Sequence, residues 1–158
     1  MSEQIAALSQ RFERQNDEII AFVAACDDQQ WQTEVPEEQR SVAVMAHHVA
    51  GAYPVIVGWI ISLAQGQPVE ITMEQIDQAN AIHKQRYAQV TREEVSGMLR
   101  RGGAAAATAV AALDDQQLDS CAMMGPAGRE LTARQVIEYV LVAHTANHFA
   151  NMRRAVGQ

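Results

Sequence analysis

Three stretches of the chain carry the same signal for the start of a helix. Each places a threonine at the N-cap and Gln or Glu three residues later, with an aliphatic residue on either side of this unit. This is a capping box with a hydrophobic staple, which satisfies free N–H groups of the first turn and sets the angle at which the chain enters the helix. The pairs are Thr72–Gln75, Thr91–Glu94 and Thr132–Gln135. They predict a short helix at 72–88 and long helices at 91–113 and 132–155.

The spacing of apolar residues predicts two more long helices nearer the N-terminus. Apolar side chains recur at helical intervals in the first 25 residues, which indicates an amphipathic helix. They are Ile5, Leu8, Phe12, Ile19 and Phe22 or Val23. Ser41 is the predicted N-cap of a second helix that reaches about residue 65, where Gly66 and Pro68 end it.

Four long helices in a chain of 158 residues predict an all-α fold. We expect one domain, 1–158, formed by a four-helix bundle, either up-and-down or with one longer crossover. A short extra helix lies between helices two and three. No segment has the pattern of a strand, and 114–130 is the one substantial irregular connection. Helix three is rich in Gly and Ala from Gly102 to Ala112, so a neighbouring helix can approach it closely.

The composition argues against several classes of function. The formal net charge is −7 and no cluster of Lys or Arg is present, which argues against a nucleic-acid-binding surface. Cys26 and Cys121 lack the spacing of a disulfide framework or a zinc knot. The second helix is apolar, but two histidines and Pro54 interrupt it, which favours a buried helix over a membrane span. With no signal-peptide pattern at the N-terminus, we expect a cytoplasmic protein that binds neither membranes nor nucleic acid.

Two histidines one helical turn apart are the main candidates for chemistry. His144 and His148 leave the same face of the fourth helix with Cβ atoms roughly 5–6 Å apart, a spacing at which two imidazoles can bind one metal ion. Metal sites in helix bundles add ligands from a facing helix. Helix two offers His47 and His48, which point about 100° apart, so at most one faces a given point. Periodicity does not choose between them, and both can instead be core residues bonded to carbonyl groups.

Three motifs resemble the DinB/YfiT-like superfamily, in the order that this family has them. The first is Ser41-Val-Ala-Val-Met-Ala-His-His48-Val-Ala-Gly in helix two, and the second is Glu94-Val-Ser-Gly-Met-Leu with the later Leu113-Asp-Asp-Gln-Gln-Leu118. The third is the His144–His148 pair followed by Phe-Ala-Asn-Met-Arg. The resemblance implies a divalent metal held by His48, His144 and His148, and frequent homodimers.

The resemblance also implies a class of reaction. Relatives in this superfamily include mycothiol-dependent maleylpyruvate isomerase and S-transferases that use bacillithiol or related low-molecular-weight thiols. The chain departs from the usual pattern after the helix-two histidine, where Ala52 and Tyr53 replace an aromatic and an acidic residue. This departure bears on the identity of the substrate more than on metal binding.

Three neutral imidazoles leave a divalent ion its full charge and an open position, as in catalytic sites. Nitrogen ligands suit Zn, Ni or Fe, and a thiol reaching such an ion is deprotonated. We therefore expect a metal-dependent S-transferase or isomerase that activates a small thiol, with hydrolysis as the chemical competitor. His83, on the short helix, is a candidate acid, base or fourth ligand, although a solvated histidine gives the same pattern. The alternatives are a stress-response protein whose metal only anchors a small molecule, and a bundle without metal.

Overall fold

Four long helices form the bundle in the computed structural model, which describes residues 1–158. They are α1 (Glu3–Ala25), α3 (Val42–Ala64), α5 (Arg92–Ala111) and a C-terminal helix of three parts, namely α7 (Ala133–Val136), a π-helical segment (Ile137–His144) and α8 (Thr145–Ala155). The shorter elements are α2 (Asp28–Gln32), β1 (Glu34–Val35), β2 (Arg40–Ser41), α4 (Met73–Arg86), α6 (Asp115–Asp119), β3 (Cys121–Met124) and β4 (Arg129–Thr132). The all-α four-helix bundle with a short extra helix between its second and third long helices is confirmed.

Side-chain caps start the helices where the sequence indicates. All three predicted threonine capping boxes are formed, and the hydroxyl of Ser41 accepts from the N–H of Val44 at the start of α3. Two further boxes, Asp27–Gln30 and Asp114–Gln117, start α2 and α6. The sequence analysis missed these two helices because five residues are too few to show helical periodicity.

The long helices pack in a ring around one core. The α5 helix contacts both α1 and α3, and the C-terminal helix contacts these same two helices from the other side. Helices α1 and α3 therefore lie diagonally opposite, where the ring of Phe12 meets the edge of Tyr53 at 5.1 Å between ring centres. All the apolar positions predicted for α1 are buried in this core.

The α3 helix is the most apolar element of the fold. By length and composition it is apolar enough to cross a membrane, with a mean hydropathy of 1.5 over its best window, yet 50% of that window is buried inside the protein. A helix at the centre of a bundle passes the same test. Pro54 lies within α3, and the helix continues past it to Ala64.

Helix α1 packs closely against the small residues of α5. The buried amide of Asn16 fills the space above Gly103, and its Nδ2 donates to the Leu99 carbonyl at 3.1 Å. Its Oδ1 accepts from the hydroxyl of Tyr53 at 2.9 Å. This polar network inside the core requires the absence of a side chain at Gly103, as the Gly- and Ala-rich sequence predicts.

The expectation that no strand is present is wrong in two places. Strands β1 and β2 form one antiparallel hairpin, and β3 and β4 form another within the segment expected to be irregular. Both hairpins are too short for an alternating pattern of apolar and polar residues to be visible. Hydrogen bonds between their strands satisfy backbone N–H and C=O groups of these connections. The fourth helix also differs from a regular α-helix, because Ile137–His144 is π-helical.

A pair of glycine substitutions tests the close packing of α1 on α5. Gly103→Ala places a methyl group against the Asn16 amide, so we expect the free energy of unfolding to fall by about 1–3 kcal/mol. Gly58→Ala, on α3 with open space at its Cβ position, should raise it by about 0.5–1 kcal/mol through helix propensity. Urea denaturation of both variants measures the difference. Equal stability of the two variants would contradict this packing.

Candidate metal and substrate site

The two histidines of the C-terminal helix face each other at the start of α8. The Nε2 atoms of His144 and His148 are 2.9 Å apart, with ring centres 4.3 Å apart. His144 ends the π-helical segment and is exposed, whereas His148 is buried. A π-helical turn is rare overall but frequent at functional sites.

His48 is the helix-two histidine that lies beside this pair. Its ring centre is 5.3 Å from that of His148, and the two rings are nearly perpendicular at 87°. The ring is half-buried and faces the C-terminal helix. Tertiary packing thus makes the choice between His47 and His48 that periodicity left open.

Glu38 holds the ring of His148 from the other side. Its Oε1 atom accepts from Nδ1 of His148 at 2.9 Å and from the Asn151 amide at 3.1 Å. Burial alone would raise the pKa of Glu38, but the hydrogen bonds from His148 and Asn151 hold this pKa below its usual value. The carboxylate therefore accepts, and Nδ1 of His148 carries the hydrogen. In the neutral ring, Nε2 then presents its lone pair towards His144.

Glu38 was not predicted as a site residue. It lies in the turn between β1 and β2, 110 positions before His148, within a polar stretch that carries no motif. The β1–β2 hairpin packs on α8, which brings the carboxylate to the histidine. Only the run of acidic residues Glu37-Glu38 was visible, and such a run usually faces solvent.

His47 turns away from the pair and contacts α4. Its Nδ1 atom is 2.7 Å from Nε2 of His83, and its ring stacks on Tyr87 with 3.8 Å between ring centres. The other nitrogen of His83, Nδ1, is buried without a hydrogen-bond partner. The ring centre of His83 is 5.6 Å from that of His48. All five histidines of the chain therefore form one continuous row.

Burial keeps most of these imidazoles neutral. Burial, followed by the charge of His148, lowers the pKa of His48 to about 3. Burial and the neighbouring His47 lower the pKa of His83 to about 4. Burial also lowers the pKa of His47 and His144. At neutral pH these rings have lone pairs available as metal ligands.

The imidazole nitrogens of this row are suitable ligands for a divalent metal, although they do not surround one point in this structure. No three of the His, Cys, Asp and Glu side chains have donor atoms close enough to share an ion. Two imidazoles bound to one ion at 2.0–2.1 Å have ring centres about 4.5–5.3 Å apart. The His48–His148 distance of 5.3 Å agrees with this range, and the His144–His148 distance of 4.3 Å lies just below it. The residue types fit a three-histidine site, and two of its three ring pairs lie at or near the spacing that shared binding of an ion requires.

An open cavity adjoins the other side of the row. It has a volume of about 430 Å³ and is lined by His47, Tyr87, Glu94 and two arginines, Arg86 and Arg101, among others. A larger cavity of about 530 Å³ between α1 and α5 contains none of the histidines.

Comparisons with known proteins agree with this fold. The sequence profile of the DinB superfamily matches residues 11–152. A solved structure with the same fold is YfiT from Bacillus subtilis, described as a probable metal-dependent hydrolase with an unusual four-helix bundle topology. It is 16% identical, with a TM-score of 0.79 over 99% of this chain and 90% of YfiT. No curated protein matches the chain.

Removing the Glu38 carboxylate tests its control of His148. In Glu38→Ala we expect His148 to lose its preference for hydrogen on Nδ1, because no acceptor remains there. Long-range ¹H–¹⁵N NMR spectra of ¹⁵N-histidine protein, without metal, report the position of the hydrogen. Glu37→Ala is the control, since Glu37 lies on the same turn and pairs with Arg154 of α8 at 2.6 Å. An unchanged His148 pattern in Glu38→Ala would refute the assignment.

Proposed function

Because the chain belongs to the DinB superfamily, we propose that it is a divalent-metal-dependent enzyme whose ion is held by His48, His144 and His148. The observation that carries this proposal is the Nε2–Nε2 distance of 2.9 Å between His144 and His148, with the hydrogen of His148 held on Nδ1 by Glu38. This is the carboxylate–histidine arrangement that orients ligands in metal sites. The metal identity stays open among Zn, Ni and Fe.

The proposed ligand set resembles a catalytic site more than a structural one. Structural zinc sites are closed by four protein ligands, whereas three histidines leave room for a substrate. A divalent ion held by three neutral imidazoles supplies a full double positive charge, which favours the deprotonated form of a thiol or of water. Glu38 fixes the orientation of His148, and burial lowers the pKa of His48 and His144, which keeps these two rings unprotonated at neutral pH.

His83 is the proposed residue for proton transfer or for orienting a substrate. It reaches the row from α4, a helix with no buried residues, and its Nε2 is held by His47 at 2.7 Å. Its Nδ1 atom is buried without a hydrogen-bond partner in the protein, and we propose that a bound molecule supplies that partner.

We favour a thiol S-transferase or isomerase as the reaction, in keeping with the relatives that the sequence motifs resemble. In a transfer, the thiol would lose its proton and its sulfur would bond to an electrophilic carbon beside the histidine row. The bond from that carbon to its leaving group would break, and the leaving group would take up the proton. Hydrolysis is the second candidate, and the observation that favours it is the similarity to YfiT, described as a probable metal-dependent hydrolase. A homodimer and a cytoplasmic location stay predictions.

Substitution of each of the two adjacent histidines of α3 tests the proposed metal site. We expect purified protein to bind one equivalent of a divalent ion. His48→Ala should weaken binding by more than the roughly 10- to 100-fold that follows loss of a residue that only orients a ligand. His47→Ala, the neighbouring residue that faces α4, should retain the ion. Calorimetric titration with Zn²⁺ measures both variants. Equal affinity in the two would remove His48 from the site, and a wild-type protein that binds no ion would refute the proposed function.

The reaction itself is tested with cobalt-substituted protein. Under the transferase or isomerase hypothesis, a low-molecular-weight thiol should produce a sulfur-to-cobalt charge-transfer band, and this band should be absent in His148→Ala. Turnover of an activated ester without any thiol, dependent on the ion, would instead favour hydrolysis. A loaded protein that shows neither a band nor turnover would favour the non-catalytic alternative, in which the ion only anchors a small molecule.

A further inference from the structure

Arg40, which follows the β1–β2 turn, lies at the same end of the bundle as the histidines. Arg40 pairs with Val35 across the hairpin, and the residue before it, Gln39, has a positive φ of 52°. This left-handed conformation, uncommon for a residue with a side chain, reverses the chain between Glu38 and Arg40. The Arg40 side chain is only 14% exposed.

The guanidinium of Arg40 lacks the partners that the other ion-paired arginines have. Its Nη1 atom is buried without any hydrogen-bond partner. Its Nη2 atom is 3.7 Å from Oε2 of Glu38, which is longer than a hydrogen bond. By contrast, Arg92, Arg134 and Arg154 each lie 2.6–2.9 Å from a carboxylate oxygen. A buried N–H without an acceptor costs about 1–3 kcal/mol, more when the group is charged.

The one carboxylate beside Arg40 balances its charge but leaves its Nη1 donor without an acceptor. Glu38 is the carboxylate beside it, and the other oxygen of that carboxylate already accepts from His148 and Asn151. The nearby imidazoles of His48 and His83 are neutral, and the positive charge of Arg40 adds to burial in lowering their pKa. An anion placed here would meet a guanidinium whose Nη1 donor has no acceptor in the protein, with Glu38 as the neighbouring carboxylate.

We propose that Arg40 binds an oxyanion, either a carboxylate or a phosphate group, of the small molecule that occupies the histidine site. The planar guanidinium of arginine matches both groups through two parallel N–H donors. The inference rests on the proposed function for the identity of that molecule as a substrate, but the anion site itself does not require the metal. The proposed site would take a substrate, or a thiol, that carries a carboxylate or phosphate group. Arg40 would orient that molecule towards the histidine row.

Anion binding by metal-free protein tests this inference separately from metal binding. Inorganic phosphate and acetate are titrated in turn, in chelator and at low ionic strength, because salt screens the attraction. Calorimetry measures the affinity for each anion, and the anion that binds more tightly indicates which group the site prefers. We expect Arg40→Gln to weaken binding by about 10- to 100-fold, the value of a charge-assisted hydrogen bond. Arg40→Lys, which keeps the charge but not the planar fork, should be intermediate.

Two control variants remove the same charge elsewhere. Arg154→Gln lies beside the same hairpin but loses an exposed pair with Glu37, and it should bind anions as the wild type does. Arg101→Gln removes a guanidinium from the 430 Å³ cavity. Loss of binding in Arg101→Gln with retention in Arg40→Gln would place the anion in that cavity and overturn the inference. So would wild-type affinity in Arg40→Gln, or no binding of either anion by the wild type.

The same titrations distinguish this inference from the proposed function. If the wild type takes up no divalent ion but binds phosphate or acetate through Arg40, the proposed metal enzyme fails and the anion site stands. If it takes up the ion and binding of both anions is insensitive to Arg40→Gln with and without the metal, the anion site fails and the metal proposal stands.

Discussion

The packing of α3 against the C-terminal helix is the interaction on which the candidate site depends. Helix α3 buries apolar side chains around most of its circumference, and its contacts with α7 and α8 determine which of its two adjacent histidines faces inward. His48 then lies beside His148 while His47 turns to α4. Burial, which stabilises the bundle, also lowers the pKa of His47 and His48 and so keeps these two rings unprotonated at neutral pH.

The β1–β2 hairpin supplies charged groups to this end of the bundle. Glu38 and Arg40 are separated by a single residue with positive φ, so both side chains reach the same end of the bundle. The carboxylate orients His148, and the guanidinium retains free donors. The charge of this site therefore comes from an element that contributes little to the hydrophobic core, which leaves the helices free to pack through apolar residues.

Most of the helical framework was predictable because its signals are local. A capping box occupies four consecutive residues, and the apolar face of α1 repeats within a few turns, so neither needs tertiary information. The two five-residue helices, the hairpins and the π-helical segment were not predicted. These elements are too short to show a periodic pattern, although the capping boxes Asp27–Gln30 and Asp114–Gln117 are local signals for the two helices.

The sequence alone determined the four long helices, their starting points, the three DinB-like motifs and the helical spacing of His144 and His148. Each helix start, each motif and the histidine pair is contained in a short stretch of consecutive residues. Only the tertiary structure decided that His48 rather than His47 adjoins the pair, that His83 completes the row, and that Glu38 and Arg40 belong to the same site. Those contacts join residues up to 110 positions apart. They depend on how helix faces and a hairpin pack in three dimensions. The hydrophobic effect favours burial of either neighbouring histidine of an apolar helix, so only the packed position of the other helices decides which one adjoins the pair.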